Sequence, residues 1–353
     1  MSITTTDSRQ ADTGQRHAER FHPPRALAAA HLQTSISSLP PRRWFTLRRA
    51  LPLRRASRPQ ILELGPLGRL RVQIAAARGG PARHGVAVLL HGWEGHADSP
   101  YVLSLGAELY AAGYEVVRLN LRDHGGTQGL NRELFHSCRL EEVIAAVQQL
   151  AARYAPLPLQ LAGFSLGGNF FLRVAAAPGL PANVRRVAAI SPVLHPERAL
   201  RALEQGPWLY HRYFVSRWSR SLREKQRLWP DDFDFGELLK LRDLRAMTDA
   251  LVHAHTDFAT MRDYLDGYAI TGGRLHTLAV PAHLLCAADD PIIPVVDLEL
   301  LARSPLLEIT PLPRGGHCGF VDSLRGPSFA DRYVLRRFAL GDQPADSSAS
   351  SRA

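Results

Sequence analysis

The chain has 353 residues, an ordinary apolar share of 45% and a formal charge of +10, so it is long enough for one large α/β domain or two smaller ones around a real core. No apolar run approaches the roughly 20 residues of a membrane-spanning helix, and the N-terminal MSITTTDSRQ lacks the apolar stretch of a secretory signal; the expected compartment is the cytoplasm. Three cysteines, Cys138, Cys286 and Cys318, are odd in number and far apart, which fits neither a disulfide framework nor a Cys-x-x-Cys metal or redox pair.

In chain order, residues 1–20 and 342–353 are polar and poor in large apolar side chains and are expected to be disordered tails, leaving residues 21–341 as one domain. The positive charge is concentrated early: residues 1–58 carry eleven arginines against Asp7, Asp12 and Glu19. The run RRWFTLRRALPLRR, Arg42 to Arg55, mixes arginines with Trp44, Phe45 and leucines, a composition suited to peripheral contact with an anionic membrane. A solvated basic arm leading into the first strand is the commoner meaning of such a run and is preferred. No helix-turn-helix, zinc-finger or aromatic RNA-binding signature accompanies it, so no nucleic-acid partner is expected.

Residues 58–75 predict an antiparallel hairpin. Short apolar runs then predict buried strands at 86–90, 114–119, 159–164, 187–190, 282–286 and 306–309. Most are preceded by helical periodicity: Ser99-Pro100 supplies a cap and a first-turn proline for one helix, and another follows Ser137. This alternation implies an α/β fold with a mostly parallel central sheet covered by helices on both faces. The segment from about 195 to 276 breaks it. It has no strand signal, three of the five tryptophans (Trp208, Trp218, Trp229), and Tyr210, Phe214, Trp218 and Leu222 at every fourth position, and it reads as a helical lid insertion. Its aromatic stripe serves core packing, acyl-chain contact, or both if the insertion roofs a pocket.

The chemistry concentrates at three junctions. GFSLGGN places Ser165 between an apolar run and a helical one, with Gly163, Gly167 and Gly168 around it, the strand-turn-helix context of a nucleophile elbow. A serine hydroxyl needs a base and a carboxylate that orients the base. Asp289 and Asp290 follow one predicted strand and His317 lies on a glycine-rich loop after the next. The spacing from Ala287 and to Pro294 favours Asp290, with Asp289 as the fallback. Oxyanion donors are expected from the backbone N–H of Leu166 and of Trp93, in the loop HGWEGH. His91, His96, His124 and His136 lie near the same end of the sheet, but no pair has the spacing of a hydrolytic zinc motif, and no metal or other cofactor is expected. Cys318 is read as a packing residue and NLRDHGGT (Asn120 to Thr127) as a rigid loop under the site.

With these motifs the chain resembles the α/β-hydrolase superfamily. HLQT (His31 to Thr34), LLHGWEGHADSPY, GFSLGGN and TDALVHAHTDFATMRDYLDGYA (Thr248 to Ala269) resemble the YheT-type branch of esterases and lipid hydrolases. The resemblance implies a serine hydrolase with the triad Ser165, Asp290 and His317, acting on short-chain esters or acylglycerol-type lipids. The departures, NLRDHGG for an Arg-Gly-Cys-type sequence and MTDALV for an aromatic-Asp-Asp one, bear on substrate specificity. An acyltransferase or thioesterase, or a non-catalytic ligand-binding protein of the same fold, would share these motifs.

Overall fold

The computed structural model describes residues 21–339 except 81 and 83; both expected tails lie outside these residues. Its strands are β1 (Ser57–Glu63), β2 (Arg69–Ala75), β3 (Val86–Leu90), β4 (Glu115–Leu119), β5 (Leu159–Phe164), β6 (Val184–Ile190), β7 (Ala282–Ala287) and β8 (Leu307–Leu312). Among the described residues they form one sheet in the order β1-β2-β4-β3-β5-β6-β7-β8. The expected hairpin pairs Ser57 with Ala75 through Glu63 with Arg69 at the sheet edge, and β2 meets β4 antiparallel. The remaining neighbours are parallel. VAVLL of β3 and LQLAGF of β5 are buried along their whole length, because a central parallel strand is covered on both faces; hence the continuous apolar runs. The chain leaves β3 for β4 on one side and reaches β5 on the other, which opens a crevice at the carboxyl ends of the central strands.

One core joins Val86, Val88 and Leu90 to α5 (Leu140–Tyr154) and α6 (Leu166–Ala176). The other joins Ala87 and Leu89 to α4 (Pro100–Ala111) and α11 (Phe329–Ala339). Alternate residues of one strand thus serve opposite cores, as the two-residue period of a strand requires. Ser99 corrects the expected cap. Its side chain does not cap α4; its Oγ instead accepts from the N–H of His96 at 3.0 Å. The structure also differs from the expected solvated arm. Residues 30–56 fold as α1 (Ala30–Ile36), α2 (Pro40–Arg49) and α3 (Leu51–Ala56). Arg42 is buried and donates to the carbonyls of Ser323 (2.9 Å), Leu324 (3.3 Å) and Gly326, and Arg49 pairs with Glu108 at 3.0 Å. Composition cannot distinguish an arginine that ties off carbonyls from one that faces water.

Between β6 and β7 run α7 (Pro196–Gln205), α8 (Trp208–Leu228), α9 (Leu244–His255) and α10 (Met261–Gly267). Side chains of Asp243 and Thr260 accept from the N–H groups of Ala246 (2.8 Å) and Asp263 (3.1 Å) and start the last two helices. The far end of α8 is fixed by Lys225, which is buried. Its Nζ donates to Asp123 Oδ1 at 3.0 Å and to the carbonyls of Gln128 (3.3 Å), Asn131 (2.7 Å) and Glu133 (3.1 Å). Asp123 Oδ2 in turn accepts from Phe135 N–H at 2.8 Å. Asp123, in the loop expected beneath the site, and the turns that follow it therefore hold the helical segment in place. Lys225→Met leaves the Asp123 carboxylate buried without its cation and should cost about 3–5 kcal/mol in urea unfolding. Adding Asp123→Asn, which removes the charge but tolerates the backbone φ of 58° and keeps an acceptor for Phe135 N–H, should recover part of that loss; a double variant no better than the single one would contradict the pairing.

Candidate active site

Ser165 sits between the last residue of β5 and the first of α6 with φ 52° and ψ −118°. A non-glycine residue held there costs about 1–3 kcal/mol, which surrounding bonds must offset. Ser165 N–H donates to Ile190 C=O at 2.9 Å, and its own carbonyl accepts from Asn169 at 3.0 Å. The neighbouring glycines are required by space. A Cβ on Gly163 would meet the backbone of Gly167 and Gly168, and one on Gly167 would meet the carbonyls of Leu90 and His91. β5, α6 and β3 approach so closely only because both positions lack a side chain.

His317 Nε2 lies 2.9 Å from Ser165 Oγ, and its Nδ1 lies 2.9 Å from Asp290 Oδ2. Asp290 Oδ1 accepts from the N–H groups of Ile292 (2.8 Å) and Ile293 (3.0 Å), so the carboxylate is fixed from both ends. Asp289 does something else: its Oδ1 accepts from Gly316 N–H at 2.9 Å and so holds the histidine loop. The structure thus brings Ser165, Asp290 and His317 together and sets Asp289 behind them. Burial disfavours the imidazolium of His317, but the Asp290 carboxylate and the Cys318 thiol outweigh it and raise its pKa well above 6.5.

Two residues of α1 complete the support. His317 N–H donates to Thr34 Oγ1 at 3.0 Å. The fully buried Gln33 donates to the carbonyls of Leu27 (2.6 Å) and Val321 (2.8 Å) and accepts from Val321 N–H at 2.8 Å. Sequence reasoning gave neither residue a role, although both lie in HLQT; a role played through backbone groups some 280 positions away leaves no local pattern.

The N–H groups of Leu166 and Trp93 take no acceptor among the described residues. The first is the opening N–H of a helix, which has no intrahelical partner. Gly92, beside Trp93, packs so closely that a Cβ there would lie 3.1 Å from Ser165 Cβ. The loop is braced by Tyr101, whose hydroxyl accepts from Gly92 N–H at 3.2 Å, and by His91. Leu121 N–H must donate to His91 Nε2 (3.2 Å), so Nδ1 carries the proton and donates to Gly92 C=O (2.7 Å). Burial first, then His124, lowers the pKa of His91 well below 6.5 and keeps this strut neutral. Trp93 stacks on Phe214 at 5.2 Å and meets Trp218 edge-on at 5.3 Å, contacts worth about 0.5–1.5 kcal/mol each. Arg217 donates to Glu94 C=O at 2.7 Å. The stripe on α8 therefore packs on the loop of Trp93 and also walls the cavity.

That cavity holds about 690 Å³ above Ser165, with Val193, Leu200, Leu203, Leu251, Leu265 and Ile293 among its apolar walls and Glu94, His136 and Arg217 among its polar ones. Burial lowers the pKa of His124 and of His136 to about 4. Among the described residues no three His, Cys, Asp or Glu side chains gather as a metal would need. Cys318 lines the cavity beside His317 with its thiol on Ile190 C=O (3.6 Å).

Fold and site together define a hydrolase of the α/β-hydrolase superfamily. A family model described as Serine aminopeptidase, S33 (Hydrolase_4) matches residues 81–307, and the chain belongs to that family. It is 25% identical over 327 residues to the provisionally named esterase YheT of Escherichia coli (strain K12), covering 90% of this chain and 91% of that protein. It is 27% identical over 242 residues to human Protein ABHD15, covering 67% of this chain but only 51% of ABHD15. The serine hydrolase CCSP0084 from Cycloclasticus zankles shares the fold at a TM-score of 0.54 and 16% identity, over 81% of this chain and 100% of that one. Among the described residues no helix is long and apolar enough to cross a membrane.

Burial, partly offset by Arg217, raises the Glu94 carboxyl from 4.5 to about 7. Its ionisation therefore costs the folded chain free energy that the unfolded chain does not lose, and the cost grows from pH 4.5 until it levels off above 7. Glu94→Gln should match the native chain in urea unfolding at pH 4.5 and exceed it at pH 8 by on the order of 1–3 kcal/mol. The same difference at both pH values would refute this origin.

Proposed function

We propose that the chain hydrolyses carboxylic esters through an acyl-Ser165 intermediate, on short-chain or acylglycerol-type substrates. The observation that carries this reading is the unbroken hydrogen-bond line from Asp290 through His317 to Ser165 at the floor of a largely apolar cavity. Ser165 Oγ attacks the ester carbonyl while His317 Nε2 takes its proton. Asp290 keeps Nδ1 protonated and stabilises the imidazolium. The tetrahedral oxyanion forms beside the N–H groups of Leu166 and Trp93, donors of a kind worth about 10²–10³ in rate. Collapse breaks the bond to the alcohol, which leaves with the proton from His317, and water repeats the sequence to free the acid and restore Ser165. The apolar walls suit an acyl chain, and a volume of about 690 Å³ accommodates a small lipid.

Ser165→Ala should abolish turnover of a p-nitrophenyl ester and labelling by a fluorophosphonate while leaving the circular dichroism unchanged. Labelling that persists in the variant would remove Ser165 from the reaction. The base must be neutral to accept the serine proton, and the pKa of His317 is raised; kcat/KM of a soluble ester should therefore rise with pH through a midpoint above 6.5. Asp290→Asn should move that midpoint down and slow the reaction by roughly 10⁴-fold. A midpoint unmoved by this substitution would separate Asp290 from the base.

A further inference from the structure

The mouth of the cavity carries an unusual surface. Leu39, which precedes α2, and Arg43 and Leu47 of α2 line one side of the cavity, and Leu209, Tyr213 and Arg217 of α8 line another. His31 of α1 and the Tyr210 hydroxyl of α8 join the two sides at 3.0 Å. Large apolar side chains stand open to water on both: Trp208 at 67%, Leu209 at 60%, Tyr213 at 52%, Trp44 at 51% and Leu39 at 40% exposure. Three of the rings carry a guanidinium, Arg48 over Trp44 (4.8 Å), Arg212 over Trp208 (5.6 Å) and Arg217 over Tyr213 (6.0 Å).

The charge is one-sided. Residues 30–56 contain six arginines and no carboxylate, and residues 208–223 contain four more, again with none. Arg42 and Arg49 are engaged inside the fold, but Arg43, Arg48, Arg54, Arg55, Arg212, Arg220 and Arg223 are exposed. Tryptophan with its apolar body and polar N–H, interleaved with arginine, fits the headgroup level of a bilayer, where rings enter the acyl boundary and cations meet lipid phosphates. A second copy of this chain would bring cation against cation. A purely polyanionic partner would use the arginines but give the exposed tryptophans no reason to be apolar.

We propose that the rim formed by α2 and the first half of α8 is a docking surface for an anionic phospholipid bilayer, which holds the cavity mouth against the lipid. Docking is independent of the chemistry at Ser165. That it also delivers substrate rests on the esterase reading above.

The test uses the full chain carrying Ser165→Ala, sedimented with vesicles of phosphatidylcholine alone or of phosphatidylcholine mixed with phosphatidylglycerol. Binding is expected only to the mixed vesicles, with a blue shift of tryptophan emission. Trp44→Ala with Trp208→Ala should weaken binding at least tenfold. Arg48→Gln with Arg212→Gln should weaken it by roughly 25-fold, about fivefold for each cation near the surface. In the active chain neither pair should alter hydrolysis of a water-soluble ester, so a failure of docking leaves the esterase reading intact and the reverse also holds. Absence of binding to the mixed vesicles overturns the proposal. So does binding that the arginine pair weakens and the tryptophan pair does not, which is the signature of a polyanion site without lipid insertion.

Discussion

The hydrogen bond between His317 and Ser165 joins groups 152 residues apart, and much of the tight packing in the molecule exists to make it. Neither side chain can be placed by its own loop. Ser165 is held in a costly backbone conformation by β6 and by its own helix, with Gly163 and Gly167 giving up side chains so that β3, β5 and α6 can converge. His317 is held by Asp290 at its ring, by Asp289 one residue earlier, and by Thr34 at its N–H. Gln33 then ties the exit of the same loop to α1. A displacement of about 1 Å at such a site can cost 10²-fold in rate, so the N-terminal helices belong to the site as much as the sheet does.

The parts of this arrangement that are local were legible in the sequence. A buried parallel strand must be a continuous apolar run, a tight elbow must be glycine-rich, and residues at the carboxyl ends of strands must meet at the crevice. The spacing around Asp290 separated it from Asp289, and the structure gives the physical reason: one faces the imidazole and the other a backbone amide. What remained illegible acts across the chain. Lys225 looks like any cation on an amphipathic helix, yet it is buried because four oxygens of the loop from Asp123 to Glu133 converge on it. Arg42 looks like its neighbours in a basic run, yet it closes three carbonyls near Gly326. The choice between core packing and a pocket wall for the aromatic stripe had no answer in periodicity, because Phe214 and Trp218 do both.

The helical segment between β6 and β7 is held unevenly. At its far end α8 is buried through Lys225 and Leu222, while its first two turns expose Trp208, Leu209 and Tyr213. Asn169 of α6, itself fully buried, donates to the carbonyls of Val193 and Tyr268, both at 2.8 Å, so the helix that begins at Ser165 also anchors the entry and exit of the segment. The cavity is therefore framed by elements that answer to the same few polar residues.

Trp93 and Glu94 meet α8 through a stacked ring and a hydrogen bond from Arg217, and the N–H of Trp93 itself takes no acceptor among the described residues. The helix that walls the cavity and the turn that carries this N–H are therefore packed as one unit. If α8 swings outward to widen the entrance, the ring of Trp93 loses its partner and the turn loses the cation that clamps Glu94 C=O. Widening the entrance and keeping the turn of Trp93 in place are thus opposed demands on one helix.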